Sequence, residues 1–584
     1  MARVLGISAH CREASAALIV DGQLVAALPE EQLSRVKNDS SLPLRAARAC
    51  LEVAGIAGHD LDEVVFFENP NLRLQHALGS NLRRFPGGAL GLPRALRAAW
   101  TENAGLERAL SRALGVPRQK VTSRRHHDTL AASVFFLSPF EKAAVLTVDG
   151  VGEAMTTGLY LGEGSTLEFL ERLEFPHSLE LLHAAISNYL GFDPNDDGQQ
   201  VMDLAAYGQP RYLEKFARVL RTHPDGSFEL REEFLDLTGN AEALYSPTLE
   251  RSFGPPGLHR GKFGPLVDGA FEDPDSQRFA DIAASLQSTL ERALLGLARR
   301  ARARTRTTQL CLRGGAWLNT IANARFLSDT GFEEIFIQPA AGRAVGAALL
   351  GALGRGDPRP QPLSTLALGL PLARERARAL GREMGLVVSE LTDPVGEAAE
   401  RIKAGQILGF AQGRTELGSS ALGQRSILCR PDSLELKDRL QRVIEHCEPY
   451  RPFAAAVLES NASDYFEVQP NAMAPYLTRI CRVSSKQLGG IVHVDGTARL
   501  QVVPERGTLA PLLRALKHSG LPPVVLNAPL KAPDEPIASS EIDVLAFFAA
   551  SALDALILED LLIQRSPAKA ARDGFSLRAP GDPR

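Results

Sequence analysis

Three glycine-bearing loops and two arginines are the residues of this sequence best suited to chemistry on an anionic ligand. The longest loop is Gly413-Arg-Thr-Glu-Leu-Gly-Ser-Ser-Ala-Leu-Gly-Gln-Arg-Ser-Ile-Leu428, with glycines at 413, 418 and 423. It follows an apolar run, Gln406–Ala411, that reads as a buried strand. Glycine lets backbone approach a ligand closely. Arg414 and Arg425 carry planar forks that suit phosphate or carboxylate. Asp149-Gly-Val-Gly-Glu153 supplies a second loop, with glycines at 150 and 152. Arg313-Gly-Gly-Ala-Trp-Leu-Asn319 supplies a third, whose Gly314-Gly315 pair between strand and helix fits a nucleotide base or sugar. Spacing alone leaves a second reading open, glycine-rich turns with surface arginines.

The elements that must position these loops follow from hydrophobic period. Val4–Ser8, Ser15–Val20 and Gln23–Leu28 read as a three-strand meander turning at Asp21-Gly22. Ala143–Val148 and Thr156–Leu161 open a similar unit around the loop at 149–153. Helical periods run over 44–54, 93–114, 178–190 and 278–304. The stretch 222–275 reads as an irregular excursion, and Thr308–Leu312 as the strand before the glycine pair. Two glycine-looped meanders, each followed by helix, suggest a duplicated α/β architecture. Actin-like and sugar-kinase folds share this plan and hold nucleotide phosphates between the two loops. Two unrelated hairpins are the alternative.

The clearest linker is Gly354-Arg-Gly-Asp-Pro-Arg-Pro-Gln-Pro-Leu363, stiffened by prolines. It divides a first domain, 1–353, from a second α/β domain, 365–584, across a Pro-rich stretch at 354–364. Strands are expected there at 406–411, 490–494, 498–503 and 523–527, with helices near 394–403 and 435–445. At 584 residues the chain exceeds one ordinary core. Its composition, 45% hydrophobic and 23% charged, is that of a globular protein. A net charge of −4 excludes a global basic field for nucleic acid, and the cluster at Arg299–Arg304 reads as a solvated helix face. No apolar run reaches the roughly 20 residues that span a bilayer. The N-terminus runs into a strand without a signal-peptide layout. The cysteines at 11, 50, 311, 429, 447 and 481 form no CxxC pair, so neither zinc nor a disulfide framework is indicated. A reducing cytoplasm is the expected location.

The loop at 413–428 resembles the GRMEFGPRALGNRSIL signature of O-carbamoyltransferases of the nodulation-protein and cephalosporin type. The resemblance extends along the chain. It takes in Leu5-Gly-Ile-Ser-Ala9, Pro139–Glu153, Phe175-Pro-His-Ser-Leu179, Val201-Met-Asp-Leu-Ala205 and Gly314–Asn319. Gln338-Pro-Ala-Ala-Gly342, Arg451-Pro-Phe-Ala454 and His493-Val-Asp-Gly-Thr-Ala-Arg499 complete it. The resemblance implies an actin-like N-terminal domain and a YrdC-like C-terminal domain. The latter would join carbamoyl phosphate to ATP as carbamoyl adenylate, and the former would pass the carbamoyl group to a small-molecule hydroxyl. It also implies a metal, usually iron, held by a His-x-x-x-His pair and two aspartates.

Carried over by residue, the implied sites are half altered. His126 matches the first histidine, but the position four later is Leu130; Asp149 matches one aspartate, while the other is Arg343. A guanidinium in place of a carboxylate repels a cation, so iron or another tightly held metal is not expected. A shifted register using His127 and Asp128 would rotate each side chain by roughly 100°. The family's His-Asp in the first loop falls at Arg12-Glu13, with Glu13 or His10 left as bases, and its lysine before Val201 is Gln200. In the second domain its Pro-Arg is Ser419-Ser420, its Lys-x-Arg-Glu is Glu445-His-Cys-Glu448, and its Asn-Thr-Ser-Phe-Asn is Asn527-Ala-Pro-Leu-Lys531. His126, Asp149, Arg425, Arg451 and Arg499 remain as catalytic candidates. Gly150, Gly152, Gly314, Gly315, Asn319 and Arg414 remain as nucleotide-binding candidates. The reading that follows is a family member with degraded sites, a non-catalytic or regulatory partner that still binds ATP or another nucleotide. Its partner would be an intact carbamoyltransferase or another pathway enzyme in a hetero-oligomer. The alternative is an active, divergent O-carbamoyltransferase using carbamoyl phosphate and ATP.

Overall fold

The computed structural model describes residues 2–83, 105–194, 198–237, 243–257, 263–264, 266–267, 270–338, 340–444, 450–468 and 475–566. Part of the helical stretch expected at 93–114, parts of 222–275, Pro339 and Glu445–Glu448 lie outside them. The chain divides into two compact units, Met1–Glu30 with Ser40–Leu363, and Glu31–Asp39 with Ser364–Arg584.

Among the described residues the first unit contains two five-stranded sheets of one plan. The first is built from β1 (Arg3–Ser8), β2 (Ser15–Val20), β3 (Gln23–Pro29), β4 (Glu63–Phe66) and β5 (Val121–Ser123), in the order β3-β2-β1-β4-β5. Helix α1 (Leu44–Ala54) lies between β3 and β4 in sequence, and α2 (His126–Phe135) follows β5. The second sheet contains β6 (Lys142–Gly152), β7 (Met155–Glu163) and β8 (Thr166–Glu174). After them come α3 (Leu179–Tyr189), α4 (Pro274–Thr305), β9 (Gln309–Arg313), α5 (Thr320–Thr330), β10 (Glu334–Ile337) and α6 (Gly342–Gly354). Its spatial order is β8-β7-β6-β9-β10. In each sheet three antiparallel strands form a meander, and two further strands join the first of them in parallel. The duplicated α/β plan read from the two meanders is therefore present.

Helices α2 and α6 pack together on these sheets at distances that require glycine. A Cβ on Gly346 of α6 would lie 1.7 Å from the Thr129 carbonyl of α2, and one on Gly6 of β1 would lie 1.9 Å from Ala344 O. The prolines after α6 do not form a free linker: Asp357 accepts from Ala2 N at 3.1 Å, and Arg359 donates to the carbonyls of Phe135 and Ser138.

The second unit is organised on a nine-stranded mixed sheet. Its central strands are Leu408–Ala411, Arg425–Cys429, Val524–Pro529, Ala454–Leu458 and Thr497–Val503, in that spatial order. Alternate residues face opposite cores. Leu408, Phe410, Leu428, Ala456 and Leu458 pack with helices Pro394–Lys403 and Ala510–His518. Ala411, Ile427, Cys429, Ala455 and Val457 pack with helices Arg374–Glu383 and Glu541–Ala550 on the other face. Burial on both faces explains why these strands read as continuous apolar runs. The strand expected at 490–494 is instead the end of a 3₁₀ turn, Lys486–Ile491. There Gly490 donates its N–H to Pro431 O at 2.7 Å, away from any ladder. Residues 31–39 are tied into this unit by Gln32 donating to Glu416 O and Arg35 donating to Ile537 O.

Gly346→Ala is expected to lower stability by about 2 kcal/mol or more, because backbone must move to admit the methyl group. Gly55→Ala, at a left-handed turn with open space around it, should cost only about 1 kcal/mol. Denaturant unfolding of both variants checks the contrast.

Candidate functional site

The first unit gathers its charged, buried side chains where β6 ends. Asp149 lies near the end of β6, 2% exposed. Its neighbours come from three helix starts: His126 is the first residue of α2, Glu180 the second of α3, and Arg343 the second of α6. Helix N-termini present unsatisfied N–H groups and a positive potential, so a carboxylate among three of them is favoured. His126 Nε2 lies 2.7 Å from Asp149 Oδ2, Arg343 Nη2 donates to the same oxygen at 2.8 Å, and Gly315 N donates to Oδ1 at 3.3 Å.

Burial alone would push Asp149 toward protonation, but the Arg343 guanidinium, followed by His126, outweighs it and holds the carboxyl well below its usual range. Glu180 takes the opposite state. Burial, reinforced by the Asp149 charge, raises its pKa well above the ordinary value, and its proton is shared in a hydrogen bond with Asp149. Two neighbouring carboxyls therefore carry one negative charge between them. Glu13 Oε2 sits 3.4 Å from both Arg313 Nη2 and Arg343 Nη1, and Arg12 lies 3.5 Å from Glu180.

Glycines line this cluster because side chains already fill the space. A Cβ on Gly315 would meet Glu180 Oε2 at 2.5 Å, one on Gly342 would meet Arg313 Nε at 2.1 Å, and one on Gly152 would meet the His126 ring at 2.3 Å. Gly314 has φ of +121°, a conformation open to glycine, and a Cβ there would strike Val148 O. Gly150 stands 3.8 Å from the Glu180 carboxyl by the same measure. Asn319 caps α5 by accepting from Ala322 N and is tied to Gln287 of α4, which occupies its amide on both sides.

The side chains present do not fit the metal that the resemblance implies. Leu130 offers no ligand atom, Arg343 brings a permanent positive charge, and the Asp149 oxygen a cation would need is shared by His126 and Arg343. His127 and Asp128 do not rescue the site. His127 Nε2 donates to Met155 O and its Nδ1 meets Thr147 Oγ1, while Asp128 accepts from Tyr160 Oη at 2.9 Å. Among the described residues no group of three or more His, Cys, Asp or Glu is disposed around a metal position.

In the second unit the glycine loop of 413–428 is folded onto its own sheet. Asn527 donates to Ala421 O and Gln501 to Leu422 O, while Glu416 Oε1 accepts from the N–H groups of Leu422 and Arg425. Arg425 is fully buried and donates to the carbonyls of Gln412, Gln424, Gly413 and Ser539. Arg414 donates to Gly369 O at 2.8 Å and to Leu368 O. Both guanidinia therefore brace backbone here. Arg451 precedes the strand Ala454–Leu458, and Arg499 pairs with Ala454 across the ladder, three strands from Arg425. Arg499, half-buried, and Arg425, buried, thus lie on strands well separated in the sheet.

Sequence reasoning passed over Glu180 and Arg313. Glu180 reads as an ordinary acidic residue after the cap Ser178, whose hydroxyl accepts from Leu181 N, and Arg313 reads as the first residue of a glycine loop, whereas it ends β9. The one available signal was their position beside the motifs at 175–179 and 314–319.

Family models carry these observations further. Residues 3–349 match a carbamoyltransferase N-terminus and residues 399–565 a carbamoyltransferase C-terminus. The chain belongs to the carbamoyltransferase family. It is 32% identical to the nodulation protein NolNO of Sinorhizobium fredii, over 97% of this chain and 81% of that one. Nodulation protein NolO of Bradyrhizobium diazoefficiens is 35% identical over 76% of this chain and 79% of its own. An uncharacterized Synechocystis protein, sll1178, is 32% identical over 97% of both. Among solved structures, the ROK hexokinase of Thermus thermophilus covers 61% of this chain and 99% of its own. Its identity of 15% and TM-score of 0.29 are too slight to carry weight. Among the described residues no helix is long and apolar enough to cross a membrane.

Two titrations check this carbamoyltransferase-family site. Between the ordinary carboxyl pKa and the raised value, native Glu180 keeps a proton that the unfolded chain has released. Its contribution to stability therefore falls as pH rises through that window. Glu180→Gln should flatten the pH slope of the denaturant midpoint above the ordinary carboxyl pKa, and equal slopes in both proteins would exclude the assignment. Burial, with His126 beside it, pushes His127 down from 6.5 to about 3. It takes up its proton in the unfolded state first, so the stability it confers is lost as pH falls from 6.5 toward 3. The His127 imidazole resonances in a native-state NMR titration should stay in the neutral form down to about pH 4.

Proposed function

We propose that this carbamoyltransferase-family chain does not carry out metal-assisted carbamoyl transfer by itself. It serves as a non-catalytic or regulatory partner that retains nucleotide binding. The observation that carries the reading is the Arg343–Asp149 ion pair, 2.8 Å long, in which the carboxylate is 2% exposed. A guanidinium fixed on that carboxylate occupies the anionic ligand that a cation there would need. In the second unit the phosphate-facing role of Arg425 is weakened by its four carbonyl acceptors. The companion protein would be an intact carbamoyltransferase or another enzyme of the same pathway, and the nucleotide would be ATP or a relative.

A second reading is supported by a different observation. Arg313 Nε and Arg343 Nε are buried side-chain atoms without a hydrogen-bond partner in the same cluster. Unmet polar atoms around a charged centre suit a bound polar ligand. Under this reading Arg343 and Arg313 supply the positive charge that stabilises the oxyanion of an attacked carbamoyl group. The chain is then a divergent O-carbamoyltransferase using carbamoyl phosphate and ATP on a small-molecule hydroxyl.

Pyrophosphate exchange into ATP, measured with carbamoyl phosphate present, separates the two. Exchange at background level supports the partner reading, and robust carbamoyl-phosphate-dependent exchange makes the second reading the right one. Elemental analysis of the purified protein should find well below one transition metal per chain. The double change Leu130→His with Arg343→Asp should raise that content several-fold, and an unchanged content would show that the metal position has been misassigned.

A further inference from the structure

On the face of the second sheet away from α2, a cavity of about 370 Å³ lies between β6, β7, β8 and α4. Leu146, Leu159, Leu173 and Leu297 form its apolar wall. The ladder explains the grouping: Leu146 pairs with Leu159 and Thr157 with Leu173, so these side chains rise from one face. Leu297 and Arg300 close it from α4, and Ser227 closes it from the turn before Phe228. The catalytic-type cluster is elsewhere, because Thr147 and Asp149 project to the α2 side, where Thr147 meets His127 and Asp149 meets His126.

Two features make this cavity more than a packing gap. Thr157 lines it, is 3% exposed, and its Oγ1 has no hydrogen-bond partner. A buried hydroxyl left unsatisfied carries a desolvation cost, which a ligand group able to meet it would relieve. The charges at the rim are already paired. Glu171 Oε2 holds Arg300 Nε at 2.6 Å and Glu171 also holds Arg304, while Asp225 Oδ2 holds Arg300 Nη1 and Arg172 Nε holds Glu174 at 2.8 Å. A charged ligand would have to break such pairs, whereas a neutral one leaves them intact.

We propose that this cavity binds a small neutral molecule with an apolar body and one hydroxyl or carbonyl group. The body lies against the four leucines and the polar group meets Thr157 Oγ1. The volume falls within the lower part of the range, about 300–1,000 Å³, typical of small-molecule sites. The site stands independently of the reading given to the Asp149 cluster.

The probe is 2-naphthol, followed by its own fluorescence on the full-length protein, with naphthalene as the probe lacking a hydroxyl. Saturable 2-naphthol binding is expected for the unaltered protein and for Thr157→Ser. Thr157→Val, which keeps the shape and removes the hydroxyl, should weaken 2-naphthol about five- to tenfold and leave naphthalene unchanged. Ser227→Trp at the mouth should abolish both. Circular dichroism confirms that each variant is folded. Absence of saturable 2-naphthol binding overturns the proposal, as does equal affinity in Thr157→Val or undiminished binding in Ser227→Trp.

Discussion

A carboxylate that water scarcely reaches must be compensated by its neighbours, and Asp149 is the charge around which the first unit is arranged. Its burial would cost several kcal/mol if it stood alone. Arg343, His126 and the Gly315 N–H share the compensation, and Glu180 yields by keeping its proton. The starts of α2, α3 and α6 meet there, so each helix supplies a favourable potential as well as a side chain. The cation at this carboxylate is thus the Arg343 guanidinium, carried by the start of α6 and 2.8 Å from Asp149 Oδ2.

That pairing depends on closeness. The side chains converge because glycines let α6 lie on β1 and α2, and let the loops at 152, 315 and 342 run beneath His126, Glu180 and Arg313. A methyl at several of these positions would fall within 2.5 Å of a neighbouring atom. The charged cluster and the tight packing are therefore one construction: the backbone approaches are what bring the helix starts within hydrogen-bonding reach of a single carboxylate.

The second unit uses buried charge differently. Burial holds Glu416 toward its protonated form despite the nearby Arg425, while Glu416 Oε1 gathers two N–H groups of its own loop. Arg425 spends its donors on carbonyls that no ladder satisfies, which converts a loop of irregular backbone into a fixed surface. The conspicuous glycine-and-arginine stretch is thus held by its own arginines.

Much of this was legible in the residues. Period-two alternation and the Asp21-Gly22 turn marked the first meander, the glycine loop at 149–153 marked the second, and together they implied duplication, because strand pairing between neighbours is a local property. Family kinship was equally plain, since motifs of fixed spacing survive as strings. The pairing of His126 and Asp149 as surviving members of one site came through that kinship. Local pattern failed at 490–494, where an apolar run with a glycine pair turned out of the sheet to bond Pro431. It was silent on Glu180 and Arg313, whose importance arises from 3.5 Å contacts between segments more than a hundred residues apart. A sequence records which groups can ionise, and here it determined the types, the strands and the family. Which of them stay charged depends on burial and on partners brought in by the fold, so only the tertiary structure decided that Asp149 is ionised, Glu180 is not, and Arg343 is the cation between them.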